Sequence, residues 1–154
     1  MTATGFTKAR AATHDRYIKI AVDVLRREGH QPTELPVDGH RPDIRLGNGD
    51  YLDIKTAYAG NENLAIEVNS LQQYWRIQLA ESCRVYIVHA MSAPTLDWWV
   101  LLPETLKIVQ GPIAPTGNGS ADDWYLFHPG NLTGSRFTDF FRARSAHVEQ
   151  AGMF

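Results

Sequence analysis

Hydrophobic residues recur at intervals of three and four positions near the start of the chain. This spacing, which is that of one buried face of an α-helix, is shared by Ile18, Ala21, Val22 and Leu25. His14 or Asp15 would continue the same face toward the N-terminus, and Gly29 is a common residue at a helix end. The pattern therefore predicts a first helix from about Ala9 to Glu28.

Two short runs of alternating hydrophobic and polar residues come next, DIRL at 43–46 and YLDIKT at 51–56. Alternation with a period of two is typical of β-strands, and the sequence Gly47-Asn48-Gly49 between the runs favours a tight turn. We therefore expect an antiparallel hairpin over 43–56.

Three further elements are indicated in the middle of the chain. LAIEVN at 64–69 alternates again and predicts a strand, and Ser70 is a suitable N-cap for a helix from Leu71 to about Glu81. RVYIVHA at 84–90 is an apolar run typical of a buried strand. The order helix, strands, helix and strand predicts an α/β fold with a mixed sheet.

The last third of the chain is rich in aromatic residues. LDWWVLL at 96–102 and WYLFHP at 124–129 predict strands, and GPIAPTGNGSADD at 111–123 predicts a surface loop. SRFTDFFRARSAHVEQA at 135–151 predicts a closing helix with an apolar face formed by Phe137, Phe140 and Phe141. Because no internal repeat or linker divides the chain, we expect one domain, with a core over about 9–90 and a C-terminal extension over about 91–154.

Composition and charge narrow the class of protein. The chain has 154 residues, of which 44% are hydrophobic and 21% charged, as in ordinary globular domains. Its formal net charge of −2 counts mildly against nucleic-acid binding, although basic residues are frequent near the N-terminus and again at Arg136, Arg142 and Arg144. A solvated helix surface explains each basic cluster equally well.

The sequence also bears on where the protein acts. No apolar segment is long enough to cross a bilayer, and the N-terminal residues lack the apolar core of a secretory signal. The single cysteine, Cys83, cannot form an internal disulfide, which fits a reducing compartment. We therefore expect a soluble cytoplasmic protein without a membrane partner.

Three residues of the hairpin carry the most specific chemistry. Asp43 and Asp53 supply carboxylate oxygens, which are the ligands that Mg²⁺ and Mn²⁺ prefer. Asp53 and Lys55 point to one face of their strand, while Leu52 and Ile54 point to the other. A lysine beside a metal site can orient an attacking water or stabilise the charge that develops during phosphodiester hydrolysis.

Pro42-Asp43 followed by Asp53-Ile54-Lys55 resembles the motif of the PD-(D/E)xK nuclease superfamily. The similarity is closest to Holliday-junction resolvase-like and related small endonucleases, and it extends over about Thr13 to Ala90. The resemblance implies a restriction-endonuclease-like fold and hydrolysis of DNA, structure-selective for branched or junction DNA, with RNA as an open alternative. It also implies that Asp43, Asp53 and the backbone carbonyl of Ile54 hold Mg²⁺, which Mn²⁺ can replace, and that Lys55 is catalytic.

Further site residues follow from the same resemblance. Members of the superfamily often carry a glutamate on the first helix, where this chain offers Asp15 as a metal ligand, with His14 beside it. An acid that favours a helix N-terminus explains Asp15 equally well. Glu67 is either a further catalytic acid or a solvent-facing residue. Gln73, or its neighbour Gln72, resembles the helix glutamine that several of these nucleases place beside the scissile phosphate.

Histidine and tryptophan residues allow both functional and structural interpretations. The six histidines show no paired spacing of metal ligands, so we expect most of them to be structural or at the surface. His40 and Arg41 can contact phosphate, and the tryptophans can stack on unpaired bases, but a loop and a hydrophobic core explain them equally well. One centre of this kind cuts one strand, so we expect a homodimer joined through the aromatic C-terminal half.

Two other functions remain open from the sequence. A binding protein could keep the nuclease fold without its activity, although the intact Asp43, Asp53 and Lys55 argue against this. An interaction protein could use WWVLLP at 98–103 and the phenylalanine-rich helix as a partner surface. Metal-dependent cleavage of DNA would separate these alternatives from a nuclease.

A shared metal site sets a condition on the hairpin register. A two-residue turn at Asn48-Gly49 would place Asp43 and Asp53 on opposite faces of the sheet. We therefore expect a loop of three residues, Gly47 to Gly49, with Gly49 in the left-handed conformation, or else a bulge that shifts the pairing by one.

Overall fold

A computed structural model of the chain describes the backbone of residues 3–36, 40–57, 64–91, 98–106, 110–113, 124–127 and 135–152. The helices in these ranges are α1 (Ala3–Arg27), α2 (Val68–Glu81), α3 (Phe137–Gly152) and a short 3₁₀-helix (Pro103–Thr105). The strands are β1 (Thr33–Glu34), β2 (Ile44–Arg45), β3 (Tyr51–Ala57), β4 (Leu64–Glu67), β5 (Val85–Met91), β6 (Trp99–Leu101), β7 (Gln110–Ile113), β8 (Trp124–Phe127) and β9 (Ser135–Arg136). None of the described helices has both the length and the apolarity needed to cross a bilayer.

Six strands form the main sheet, in the order β1-β2-β3-β5-β6-β9. β3 and β5 are parallel, while the other neighbouring pairs are antiparallel. A parallel pair needs a crossover connection, and α2 lies within the one that joins β3 to β5. The predicted α/β fold with a mixed sheet is confirmed. The local pattern did not indicate that β4 leaves this sheet and joins a second one, in the order β4-β8-β7.

Hydrophobic side chains cover both faces of the main sheet. On one face, Leu52 and Ile54 of β3 pack in one cluster with α1 and with Phe141 of α3. On the other face, Ile87 of β5 packs in a second cluster with Tyr74 of α2. Burying a side chain of this size contributes about 1.5–3 kcal/mol. The C-terminal helix is therefore part of the same core as α1, and the two clusters fix β3 between them.

Three aromatic side chains of the C-terminal segment are buried within the chain itself. Trp98, Phe137 and Phe141 are at most 1% exposed. The ring of Phe137 contacts both of the others edge to face. Because these rings are already covered, their burial gives no reason for a second copy of the chain. The homodimer stays a prediction, and its one remaining argument is that cutting two DNA strands requires two catalytic centres.

The first helix ends where the sequence predicts and begins earlier. α1 starts at Ala3 instead of about Ala9 and ends at Arg27. Gly29 then has a φ of 86°, and the amide of His30 donates to the carbonyl oxygen of Leu25 at 2.9 Å. A glycine in the left-handed conformation is a common end of an α-helix. The predicted end of the first helix is therefore confirmed.

Two local predictions are wrong. Ser70 does not cap α2, because the helix begins at Val68 with Glu67 at the N-cap, and the hydroxyl oxygen of Ser70 lies 2.8 Å from Nδ1 of His40. Gly111 to Ile113, predicted as loop, belong to β7. Pro112 is tolerated there because β7 is at the edge of its sheet, where a missing N–H costs little. The rest of the predicted loop, residues 114–123, lies outside the described residues.

Candidate functional site

The turn between β2 and β3 sets the position of the first aspartate. The loop holds three residues, Gly47 to Gly49, because the amide of Leu46 donates to the carbonyl oxygen of Asp50 at 2.8 Å. The amide of Gly49 donates to the carbonyl oxygen of Leu46 at 2.9 Å, and Gly49 has a φ of 96°, which favours glycine. The predicted three-residue loop is confirmed.

This loop gives the register that a shared site requires. Ile44 pairs with Leu52, which brings Asp43, the residue before Ile44, against β3 between Leu52 and Ile54. The amide of Asp43 donates to the carbonyl oxygen of Leu52 at 2.9 Å, which holds the chain against β3 beyond the start of β2. The turn length therefore sets which part of β3 Asp43 meets, and its carboxylate is near enough for its charge to act on Asp53.

Asp53 is buried on the α2 side of β3 and makes two polar contacts there. Its Oδ2 lies 2.9 Å from Nζ of Lys55 and accepts a hydrogen bond from the hydroxyl of Tyr74. Asp53 is only 3% exposed, whereas the side chain of Lys55 keeps 26% of its surface exposed. The pair thus joins a buried carboxylate to a lysine whose side chain is partly exposed.

Burial and the charge of the partner shift the pKa values of Asp53 and Lys55 in opposite directions. Burial raises the pKa of Asp53 to about 6, against the positive charge of Lys55 and with the help of the negative charge of Asp43. Burial disfavours the charged form of Lys55, but the carboxylate of Asp53 outweighs it and holds the pKa of Lys55 well above its usual value. Lys55 is therefore a cation at neutral pH.

Asp43 is held by β3 and by α1. The amide of Ile54 donates to Oδ2 of Asp43 at 2.7 Å. Nε2 of His14 lies 3.2 Å from the same oxygen and 2.9 Å from the carbonyl oxygen of Ile54. Burial acts to raise the pKa of Asp43, but the hydrogen bond and charge of His14 outweigh it and lower that pKa. The hydrogen bond to Asp43 in turn raises the pKa of His14.

The acid expected from the first helix is not at this site. Asp15 has a side chain that is 63% exposed, with its Oδ1 3.9 Å from Nζ of Lys19. This placement corrects the expectation that Asp15 is a metal ligand, and the residue of α1 that reaches Asp43 is His14. Asp15 follows His14 by one residue, so its side chain points in a different direction around the helix.

Glu67 and Gln73 make no direct polar contact with the two aspartates or Lys55 in the described part of the chain. The Oε2 of Glu67 lies 3.5 Å from Nδ1 of His40. Gln73 lines a surface cleft of about 250 Å³, while Gln72 is exposed. The catalytic roles of Glu67 and Gln73 stay predictions.

A buried histidine lies next to the lysine of the pair. His89 of β5 is the register partner of Lys55 in the parallel ladder, so both side chains point to the same face of the sheet. His89 is 1% exposed, and neither of its ring nitrogens has a hydrogen-bond partner in the structure as described. Burial lowers the pKa of His89 to about 4, so a neutral imidazole lies beside a charged pair.

His89 should make the chain lose stability in mild acid. Its folded-state pKa of about 4 lies below the ordinary value of 6.5, so the unfolded chain takes up the proton first as the pH falls. The stability present above pH 6.5 should therefore decrease by about 3 kcal/mol by pH 4. We expect His89→Leu to remove this part of the pH dependence in urea unfolding monitored by tryptophan fluorescence. An unchanged pH dependence in that variant would contradict the assignment.

The donor atoms of the site suit a divalent ion. The carboxylates of Asp43 and Asp53 and the carbonyl oxygen of Ile54 are oxygen ligands of the type that Mg²⁺ and Mn²⁺ prefer. Among the side chains that the structure describes, no group of three His, Cys, Asp or Glu residues is placed to hold a metal. By donor type alone, two carboxylates and one carbonyl are compatible with a divalent ion that takes water in its other positions.

Comparison with known proteins places the chain in a class of fold. A scan against protein-family models and a search of curated proteins found no match. Among solved structures, the chain is similar to Hjc, a Holliday junction resolvase from the archaeal hyperthermophile Archaeoglobus fulgidus, with a TM-score of 0.61. The match covers 84% of this chain and 95% of that chain at 14% sequence identity. The predicted restriction-endonuclease-like fold is confirmed.

Proposed function

We propose that this protein is a metal-dependent endonuclease that hydrolyses phosphodiester bonds in DNA, with selectivity for branched or junction DNA. The observation that carries the proposal is the contact of Asp53 with Lys55 at 2.9 Å, beside Asp43, on a fold similar to that of a Holliday junction resolvase. Displaced pKa values such as those of Asp53 and Lys55 are typical of functional sites. A buried ion pair contributes little to stability, so catalysis is the better reason for this arrangement.

In this proposal, Asp43, Asp53 and the carbonyl oxygen of Ile54 bind Mg²⁺, which Mn²⁺ can replace. A bound ion would activate water and neutralise the charge that develops on the phosphate. The amide of Ile54 already fixes the carboxylate of Asp43 at 2.7 Å, and the hydroxyl of Tyr74 orients that of Asp53. Such preorganisation reduces the free energy lost when the ligands are ordered.

Lys55 acts through its charge. Because its pKa is raised well above the usual value, it does not serve as a general base at neutral pH. Its ammonium group is fixed by Asp53, and the side chain is partly exposed. In this position it can donate to a non-bridging phosphate oxygen or orient the attacking water.

Binding of DNA depends on local positive charge, because the chain as a whole carries a net charge of −2. Arg41 and Arg45 line the same cleft as Gln73, and Pro42 in this cleft directly precedes Asp43. Arginine side chains there can bind the phosphates that flank the scissile bond. A homodimer would supply the second centre for paired cuts, and the single cysteine fits a cytoplasmic protein.

A second function has one specific observation in its favour. Nε2 of His14 lies between Oδ2 of Asp43 and the carbonyl oxygen of Ile54, two of the oxygens that the metal requires. Its raised pKa favours a cation at this position. A chain in which this cation permanently replaces the metal would bind branched DNA without cutting it.

A cleavage assay tests both functions. The protein is incubated with plasmid, single-stranded DNA, four-way-junction DNA and RNA of matching sequence, each with Mg²⁺, Mn²⁺ or EDTA. We expect cleavage of the junction with either metal and none with EDTA. Binding of the junction without cleavage under any condition would support the second function. Cleavage that persists in EDTA would contradict both.

A further inference from the structure

Neighbouring strands of the main sheet place four side chains in one row. Register partners in adjacent strands point to the same face of a sheet. Such pairing links one residue each of β3, β5, β6 and β9, in the order Lys55, His89, Trp99 and Arg136. The row lies on the face covered by α2, because Ile87, two residues before His89 in β5, packs there. The lysine of the proposed site is therefore at one end of the row and Arg136 at the other.

The two ends of this row are accessible, whereas its middle is covered. His89 is 1% exposed, but the Lys55 side chain is partly exposed, and so is Trp99. Arg136 is exposed. Two strand spacings of about 4.8 Å separate Lys55 from Trp99, a distance of about 10 Å. One DNA strand rises about 3.4 Å per nucleotide, so this distance corresponds to about three nucleotides.

Arg136 is held against the ring of Trp99. The guanidinium carbon of Arg136 lies 4.9 Å from the centroid of this ring. A cation–π contact of this kind contributes about 0.5–1 kcal/mol at an exposed site. The guanidinium keeps its charge in such a contact, and its planar set of N–H donors matches the geometry of a phosphate. Because the contact already orders the side chain, less conformational entropy is lost when Arg136 binds a ligand.

The other two arginines of the C-terminal basic cluster are placed differently. Arg142 and Arg144 belong to α3, which packs with α1 on the opposite face of the sheet. Arg142 donates hydrogen bonds to the carboxylate of Glu28 at 3.2 and 3.3 Å. The guanidinium of Arg144 lies 4.2 Å from the ring centroid of Phe140. Of these three arginines, Arg136 is therefore the one on the face that carries Asp53 and Lys55.

We propose that Arg136, held on Trp99, binds a backbone phosphate of the DNA about three nucleotides from the scissile phosphate. The inference rests on the proposed function, because it takes the position of the scissile phosphate from Lys55. In the sheet order, β9 lies on the opposite side of β3 from β2, whose Arg45 lines the cleft described above. Positive charges would thus flank the cut on both sides. A phosphate contact positions a strand without reading its sequence, which suits an enzyme that selects DNA by its branched shape.

The salt dependence of DNA binding tests this contact. Binding of four-way-junction DNA is measured by fluorescence anisotropy in EDTA at several salt concentrations. Each phosphate contact adds about 0.9 to the slope of log affinity against log salt concentration. We expect Arg136→Gln to reduce this slope by about one and to weaken binding at low salt by about tenfold. Arg136→Lys keeps the charge and should retain the slope.

The matched control is Arg144→Gln. It makes the same change of charge at an arginine that also lies over an aromatic ring, but on the opposite face of the sheet. Neither the slope nor the affinity should change in this variant.

DNA with single neutral phosphates gives a second measurement. A methylphosphonate replaces one charged phosphate at a time along the cleaved strand. We expect the wild type to lose affinity at a position about three nucleotides from the cut. Arg136→Gln should lose no further affinity at that position, because both changes remove the same contact. The scan of the wild type does not depend on the folding of a variant.

The outcomes distinguish this inference from the proposed function. Equal salt slopes in the wild type and in Arg136→Gln would overturn the inference, even if metal-dependent cleavage were observed. The expected change of slope without cleavage by the wild type would support the phosphate contact and overturn the nuclease proposal. Absence of both binding and cleavage in the wild type would overturn the two together.

Discussion

Replacing Asp53 with asparagine is expected to reduce metal-dependent cleavage by about 10³-fold or more and to weaken metal binding by at least about tenfold. The change removes one of the two negative charges that are proposed to hold the ion. The amide oxygen can still accept the hydrogen bond from Tyr74, so the shape of the site should persist. Calorimetric metal titration beside a nicking assay on junction DNA measures both effects.

The fold of Asp53→Asn should remain intact in the absence of metal. The pKa of about 6 for Asp53 lies above its ordinary value of 3.8, so the folded chain loses stability as the pH rises from about 3.8 to about 6, and the whole loss is present at pH 7. The variant removes this destabilisation, while Lys55 loses its partner. Because the two effects oppose each other, we expect a free energy of unfolding at pH 7 equal to or slightly above that of the wild type.

The matched control is Asp23→Asn, since Asp23 is an exposed acid on α1. It should change neither cleavage nor metal affinity. A folded Asp53→Asn protein that cleaves at the wild-type rate, with the same metal dependence, would mean that the catalytic centre lies elsewhere in the chain.

Lys55→Ala is expected to separate metal binding from chemistry. Cleavage should fall by about 10²-fold to 10³-fold, because the ammonium group that stabilises the developing charge is lost. Both aspartates remain, so metal affinity should persist or rise, since the ion no longer competes with a positive charge 2.9 Å from Asp53. The nicking assay and the metal titration check the two parts separately.

Without metal, the same variant should be less stable than the wild type, because Asp53 is left without its counterion. The loss should be about 1–2 kcal/mol, less than for a fully buried pair, since the Lys55 side chain is 26% exposed. Added Mn²⁺ should restore stability. Lys19→Ala is the control, because Lys19 is 61% exposed and pairs with acids outside the site. Loss of metal binding together with cleavage would argue against a purely electrostatic role for Lys55.

The turn and the second strand of the hairpin could be predicted because their determinants are local, whereas β2 is shorter than predicted, Ile44–Arg45 instead of 43–46. Alternation along β3 assigns Leu52 to one face and Asp53 to the other, and Gly49 permits the positive φ of the three-residue loop. The condition that two carboxylates share one ion then selects a single register. Nothing from the rest of the chain was needed.

The presence of the first helix could be predicted, but the direction in which its side chains point could not. The spacing of the buried residues Ile18, Ala21 and Leu25 allows either His14 or Asp15 to continue the same face. Asp15 has the chemical type expected for a metal ligand, but packing of α1 on β3 turns His14 toward Asp43. Whether His14 or Asp15 faces the site is determined by the packing of α1 against the sheet, and the sequence of α1 alone does not specify this packing.

Other site contacts depend on which elements become neighbours. Tyr74 shares the buried face of α2 with Ser70 and Ile77, which indicates a core position without showing that its hydroxyl meets Asp53. His89 lies beside Lys55 only because β5 is the parallel neighbour of β3. Pairings between distant segments, such as that of β4 with β8, likewise leave no signal in local periodicity.

The three-residue loop also restricts how the segment between the two aspartates can change in length. One residue added to or removed from the hairpin would turn Asp43 away from Asp53, because side chains alternate along a strand. Insertion of two residues, one in each strand, would lengthen the hairpin and keep both carboxylates on one face. Insertions and deletions here should therefore be tolerated in pairs, and an odd change without a compensating bulge should destroy the site while the chain still folds.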